Sequence, residues 1–451
     1  MEITASRGKC TRQGFNLWSM IMWYTNKIGI ILLCFALSPV KGFTEENKSI
    51  GLVPIVNKVL EENLDLAVLK EHINALSTIP DQAGALPNPS LTLGLVNVPT
   101  DSFDLKQEAM TQKTIGIMQS FPYPGKRSLK KEVARMDYNK GIADLEALKL
   151  QVIRDVKTDY YNLFFVIRSR EVTERNKRLL QDFIRIAETK YSVGKGIQQD
   201  VLKAYVELSK MKEKLISLKE QEAVLKARIN SYMNRPPHTP FELPKELEVS
   251  HDAMSHHQPM SSIMEEHPLL KGMEALIEKN EKARLLAEKN YYPDFNVTLQ
   301  YGQREDGHVD RADFISTMVS IPLPLWQKEK EDKALMERKA RLNEAKRKYE
   351  SAQNHLAFLI RKTKSEMESA WEQMLLFRDG IIPQAKASLE SAIAGYQVNK
   401  VDFLTLLNNH LTLFNYEIQY YRSLTNHEIK MAQLEEALGG KLMAKNDGEI
   451  R

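Results

Sequence analysis

The residues best suited to chemistry lie together in the middle of the chain. His251, His256, His257 and His267 are interspersed with Met254, Met260 and Met264. Imidazole and thioether groups suit the softer ions, Cu(I), Ag(I) or Zn(II). The spacing matches no closed four-ligand set, and Pro236, Pro237, Pro240, Pro244 and Pro259 punctuate the segment. It reads as a solvated linker, with His251, His256, His257, Met254 and Met260 as its candidate metal ligands. His72, His308, His355, His410 and His427 are scattered singly, and no Ser/His/Asp set accompanies them. No Gly-rich phosphate loop follows a strand pattern. No catalytic residue and no cofactor is expected, and the chain is read as a non-enzyme.

Bulk numbers narrow the field further. Of 451 residues, 63 are Lys or Arg and 59 are Asp or Glu. That near balance excludes a strongly basic nucleic-acid footprint and an acidic tail. Cys10 and Cys34 are the only cysteines, so the body offers neither a disulfide framework nor a thiolate metal site. Lys27 precedes an apolar run from Ile28 to Leu37, the length of a secretory signal core and too short to span a bilayer. Val40-Lys41-Gly42 suits cleavage before Phe43, so residues 1–42 are read as a signal peptide, with Met20 or Met22 as alternative starts. Leu33 is too large to precede a lipidated Cys34. No later stretch is apolar enough for a transmembrane helix, and an exported product follows.

The elements that position any function come in two sets. Leu91, Leu93 and Leu95 alternate with polar or small residues, as do Ile115 and Ile117. Phe295, Val297, Leu299 and Tyr301 repeat the pattern, followed by Ile315, Val319 and Ile321. Period-two alternation with one polar face fits a half-buried sheet and a lipid-facing barrel wall equally well. Four strands cannot enclose water, since the smallest membrane barrels use about eight. Three chains would supply twelve strands and leave no edge.

Long helical patterns dominate the remainder, from about residue 127 to 190 and from 327 to 395, the second interrupted near Pro383. At 1.5 Å per residue each is roughly 95–100 Å long. Apolar steps of three and four at Leu342, Ala345, Tyr349, Ala352, Leu356 and Leu359 give a 3.5-residue repeat, hence coiled-coil packing. Return helices at 200–234 and 401–438, and shorter ones at 50–78 and 268–290, complete each half. By length, the pieces at 200–234 and 268–290 match the first long helix, and those at 50–78 and 401–438 the second.

Motifs repeat with the elements. Ser120-Phe121-Pro122-Tyr123-Pro124 returns as Ser320-Ile321-Pro322-Leu323-Pro324, and Tyr191-Ser192-Val193-Gly194-Lys195 as Tyr396-Gln397-Val398-Asn399-Lys400. The expected organisation is a repeat over 43–234, a Pro/His-rich linker over 235–267 running clear of the helices, a second repeat over 268–440 and a polar tail over 441–451. Tyr160, Tyr161, Phe164 and Phe165 read as packing between coiled helices. Tyr291-Tyr292-Pro293 fits either the helix–strand junction or a membrane interface.

This ordered set resembles the TolC-type outer-membrane efflux proteins. The resemblance spans about residues 50–440. It implies a mainly α fold with a small β part: a coiled-coil helical barrel plus four strands per chain, joined as a homotrimer into a twelve-stranded barrel in outer-membrane lipid. It further implies a Gram-negative outer membrane with a large periplasmic part, a periplasmic adaptor, and an inner-membrane pump of RND type. Substrate would pass outward passively, with metal ions a candidate cargo because of the His/Met segment. A type I secretion duct would share the architecture, and a periplasmic coiled-coil scaffold would share the heptads alone.

Carried across by position, Val193, Gly194, Lys195, Val398, Asn399 and Lys400 match the helix tips that meet the adaptor. Tyr191 and Tyr396 stand where the closed tips would converge, and Asp200 matches an acidic gate residue. Val401 stands at or beside a gate arginine. Thr405 and Asn408 replace acidic rings, with Asp402 as a neighbouring source of negative charge.

Overall fold

The structure, a computed structural model, describes residues 50–247, 260–305 and 310–440. The signal-peptide reading over 1–42, the tail over 441–451, and His251, Met254, His256 and His257 lie outside the described residues, as does the side chain of Met260.

Helices α1 (Leu52–Glu62) and α2 (Leu64–Gly84) lead into β1 (Ser90–Val96), β2 (Gln112–Phe121), the long helix α3 (Lys126–Ser192) and its return α4 (Gln198–Tyr232). The second half repeats that order. It comprises α5 (Met260–Glu266), α6 (Pro268–Lys289), β3 (Phe295–Arg304), β4 (Phe314–Ser320), α7 (Glu331–Leu376), a π-helical turn (Phe377–Ile381), α8 (Ile382–Gln397) and α9 (Phe403–Ala437). Among the described residues no helix is long and apolar enough to cross a membrane.

The strands form one antiparallel sheet in the order β1-β2-β3-β4. Its register aligns Leu93, Ile115, Tyr301 and Ile315 in one row and Leu91, Ile117 and Leu299 in the next. Those side chains share a face and are exposed. The opposite face carries rows such as Thr92, Gly116, Gln300 and Ser316. A soluble sheet would bury its apolar face. Here that face is bare, and β1 and β4 each keep one unpaired edge.

The helices pack as the heptads require. Buried positions on α7 run Leu342, Ala345, Leu356, Ile360, Thr363, Met367, Ala370 and Met374. The stripe therefore steps four residues, from Leu356 to Ile360, where strict heptads point to Leu359. Around α3 lie α2, α4, α6 and α9, while α7 lies against α6 and α9. The shorter helix of the first half thus flanks the first long helix, as does α9, the piece with which it was matched by length. The break near Pro383 is the π turn just before it. Pro383 lacks the N–H that would bond the carbonyl one turn back, and the widened turn makes room for its ring.

Two expectations change. The pattern over 50–78 is two helices: Asn63 interrupts it, accepting from Leu66 N at 3.1 Å and donating to Tyr232 O at 3.3 Å. The second then continues through a buried Pro80 to Gly84. The linker over 235–267 does not run clear of the helices. Phe241 is buried with Ile55, Val56, Tyr160 and Ile229, Ile50 N donates to Glu242 O at 2.9 Å, and 260–266 is helical. A turn at 236–239, closed by Thr239 N donating to Pro236 O at 3.0 Å, leads into a strip that lays Phe241 and Leu243 against the core.

Candidate functional site

At the ends of the long helices, far in sequence from the strands, two turns are built alike. The α3–α4 turn places Gly194 at φ +72, and the α8–α9 turn places Asn399 at φ +57. Glycine and asparagine are the residues that tolerate this left-handed region best. In the first turn Gly194 N donates to Tyr191 O at 3.0 Å and Lys195 N to Lys190 O at 2.8 Å. In the second, Asn399 N donates to Tyr396 O at 3.3 Å and Lys400 N to Gly395 O at 2.8 Å. These bonds satisfy the last carbonyls of both helices.

Expected site residues divide by burial. Val193 and Val398 are about equally exposed, at 62% and 63%, and Gly194, Lys195, Asn399 and Lys400 also face outward. Tyr191 and Tyr396 do not match: the first is 48% exposed and the second 7%. Tyr396 packs edge-on against the buried Phe403, with ring centroids 5.7 Å apart. Lys190 holds it from the other side. Its ammonium stands 3.8 Å from the Tyr396 ring centroid and donates to Tyr396 O, and also to Asn399 Oδ1 at 2.7 Å.

The acids fall into the same neighbourhood. Partial burial raises the Asp200 carboxyl above its ordinary range, and the charge of Asp402 adds to that, against the opposing pull of Lys203. Asp402 is lowered, because its carboxylate accepts the Thr405 N–H at 2.7 Å and so caps α9. Burial, then the charge of Asp200, raises the Tyr396 phenol. Tyr396, Asp200 and Asp402 therefore form one electrostatic group, joined to α3 through Lys190. Thr405 and Asn408 contribute no charge, as their types require.

Beneath the turns lies a core shared by four helices, including Leu180, Phe183, Ile184, Leu208, Leu389, Leu406 and Leu407. His410 is fully buried there, edge-on to Phe183 at 5.4 Å. Neither ring nitrogen has a hydrogen-bond partner, and burial lowers its pKa to about 4.

The sequence alone does not single out Lys190, Gly395 or Phe403, and His410 stands in it as one scattered histidine. The repeat offers one signal: 205 residues separate Tyr191 from Tyr396, and the same step relates Tyr205 to His410. Among the described residues no group of three or more His, Cys, Asp or Glu side chains is placed to hold a metal ion.

Residues 55–235 match the family model described as outer membrane efflux protein. No curated protein sequence matches the chain. Among solved structures, the outer membrane protein VceC of Vibrio cholerae aligns with a TM-score of 0.73 at 17% identity, over 86% of this chain and 96% of that one. The CmeC outer membrane channel of Campylobacter jejuni aligns with a TM-score of 0.70 at 14% identity, over 89% and 90%. The open state of the MtrE outer membrane channel of Neisseria gonorrhoeae aligns with a TM-score of 0.68 at 16% identity, over 87% and 89%.

Proposed function

We infer how this chain works from its membership of the TolC-type outer-membrane efflux proteins, the family whose model its first repeat matches. Its function is that of an outer-membrane exit duct. One observation carries the physical side of that reading: a four-stranded sheet with a bare apolar face and two unpaired edges. In water that face would be a large aggregation surface. In lipid it is the outward wall of a barrel, which must close on itself because no water is present to satisfy an open edge. A homotrimer closes it with twelve strands. The bare face also disfavours the coiled-coil scaffold, which needs no sheet.

The helices carry the conduit onward from the sheet, across the periplasm, to the Gly194 and Asn399 turns. An adaptor would dock there on the exposed Val193 and Val398, beside Lys195 and Lys400. Tyr396, fixed by Lys190 and Phe403, belongs to the closed arrangement. Docking that favours a different arrangement shifts the population toward the open duct, and no further input of energy by this chain is required. An inner-membrane pump, of RND type in this reading, would set the outward gradient.

The deciding experiment is the native mass of the protein extracted from outer membranes in mild detergent. A trimer is expected. A monomer recovered from the soluble fraction would remove the barrel and return the scaffold as the better reading.

A further inference from the structure

The junction below the sheet exists twice in the sequence but only once, complete, in the single chain. Strand β2 pairs with β3, so the exit from β2 lies beside the approach to β3. There Tyr123 stacks on Tyr292 with centroids 4.6 Å apart. Asp294 Oδ1 accepts from Tyr123 N at 2.8 Å and from Lys126 Nζ at 2.7 Å. Lys126 is buried, and its ammonium also donates to Tyr292 O at 2.7 Å. An ion pair with these added hydrogen bonds ties the start of α3 to the second half of the chain.

The repeat places a second junction at the exit from β4. Two hundred residues relate Pro122 and Pro124 to Pro322 and Pro324, and the same step relates Lys126 to Trp326. On the other side, 205 residues relate the ends of the preceding helices, Gly84 to Lys289, and the starts of the strands, Ser90 to Phe295, so the approach segment Leu86–Pro89 stands where Tyr291–Asp294 stands in the first junction. Lys126 is thus replaced by Trp, and the approach segment that faces it carries no charge. Losing one member alone would strand a charge, whereas exchanging both for apolar groups leaves a consistent contact.

In the single chain these surfaces are bare and apart. Ile321, Leu323, Leu325 and Trp326 are exposed, Trp326 at 70%, and so are Leu86 to Pro89. They flank the two open edges, since β4 and β1 stand at opposite ends of the sheet. A partner that pairs with β4 and brings an approach segment of the β1 kind is a second copy of this chain.

We propose that Trp326 of one copy packs on the Leu86–Pro89 segment of the next, forming an apolar inter-subunit seam where the first junction uses the Lys126–Asp294 ion pair. The proposal rests on the trimeric reading and adds its contact residues. The Trp ring offers a wide apolar face to proline, with no charge to desolvate. The seam is heterologous, one surface meeting a different one, and a threefold rotation repeats it three times to close the ring.

Cysteine pairing tests it, because Cys10 and Cys34 are the only native cysteines and both precede Phe43. With Pro89→Cys and Trp326→Cys combined, mild oxidation in outer membranes should give a ladder of covalent dimer and trimer. Each single variant should give none. A trimeric native mass without a ladder overturns the seam and leaves the trimer standing, whereas a monomeric native mass of the unsubstituted chain overturns both. A charge exchange gives a second route. Trp326→Lys should loosen the trimer in detergent about tenfold or more, and adding Pro89→Asp should restore most of the loss. Failure of that rescue counts against the proposal. In a Trp371→Phe background, strong quenching of Trp326 emission by brominated lipid in the intact trimer would assign the surface to lipid and overturn it.

Discussion

The two tip hairpins carry almost the same turn and live in different surroundings. Tyr191 and Tyr396 close equivalent helices with equivalent hydrogen bonds, yet the first is exposed and the second is buried. The contrast extends along both return helices at the same 205-residue step. Gln198 is exposed where Phe403 is buried, and Tyr205, bonded to Glu188 at 2.7 Å, is exposed where His410 is fully enclosed. A local motif sets the shape of a turn. The neighbours it meets decide whether it is a wall or a surface.

Substitution at the paired positions should show this asymmetry most strongly. Phe403→Ala removes a fully buried ring and is expected to cost about 3–5 kcal/mol, whereas Gln198→Ala should stay within about 0.5 kcal/mol. Chemical denaturation of the purified protein in detergent measures both. Equal losses would mean that the two hairpins share one environment.

Acid should act next, through His410. Its folded pKa of about 4 lies below the ordinary value of 6.5, so the unfolded chain takes up the proton first. The stability that neutral His410 contributes is therefore lost as pH falls from about 6.5 toward 4, by about 3 kcal/mol in all. His410→Leu should flatten the denaturation midpoint across that range. Tyr205→Leu should leave its slope intact, since a phenol does not titrate there.

Much of this architecture is legible in residue order. Alternation exposes the four strands, and steps of three and four expose the long helices, because both periods follow from backbone geometry alone. Repeated motifs at 120 and 320, and at 191 and 396, expose the duplication. Burial of one copy and not the other is not legible, because it depends on helices distant in sequence. Lys190 reads as one surface lysine among many until α8 brings Tyr396 beneath its ammonium. Asn63 reads as an interior helix residue until its side chain caps α2. Phe241 sits among prolines, whose presence suggests a loop and conceals how such a strip can fill a core.

A close backbone crossing sharpens the comparison further. A Cβ on Gly395 would meet Val401 Cγ2 at 2.5 Å, and one on Gly196 would meet Lys190 Cβ at 3.2 Å. The 205-residue step relates Lys190 to Gly395 and Gly196 to Val401. Each tip thus keeps one glycine, on opposite sides of the same crossing. Gly395→Ala should cost about 1–3 kcal/mol through overpacking, and adding Val401→Gly should recover most of it. Additive losses in that double variant would show that the crossings are unrelated.

Lys190 is the link between the hairpins. Lys190→Met keeps the stem and removes the cation–π contact with both side-chain hydrogen bonds, a loss of about 1–2 kcal/mol for the state that holds Tyr396. Single-channel recording should show open events about tenfold more often. Lys195→Met, on an exposed turn residue, should leave opening unchanged. Equal effects from the two would separate Tyr396 from the gate.

The smallest effects should come from the acids, with opposite signs. Asp200 is raised by burial and by Asp402. The folded state therefore favours its protonated form, an advantage present below the unfolded value of about 3.9 and lost as pH rises through the folded pKa. Asp402 is lowered by the Thr405 amide. Its stabilisation is present above the unfolded value and lost as pH falls through the folded one. Asp200→Asn should accordingly raise stability slightly at neutral pH, with the gain vanishing in acid. Asp402→Asn keeps a capping oxygen, since asparagine caps helices as well as aspartate. It should lower stability at neutral pH and weaken the acid-side decline. In the double variant the gain from Asp200→Asn should shrink, because part of the Asp200 shift is the charge of Asp402. A gain that survives unchanged would mean that burial alone sets Asp200, and that the two turns, although neighbours, do not sense each other's charge.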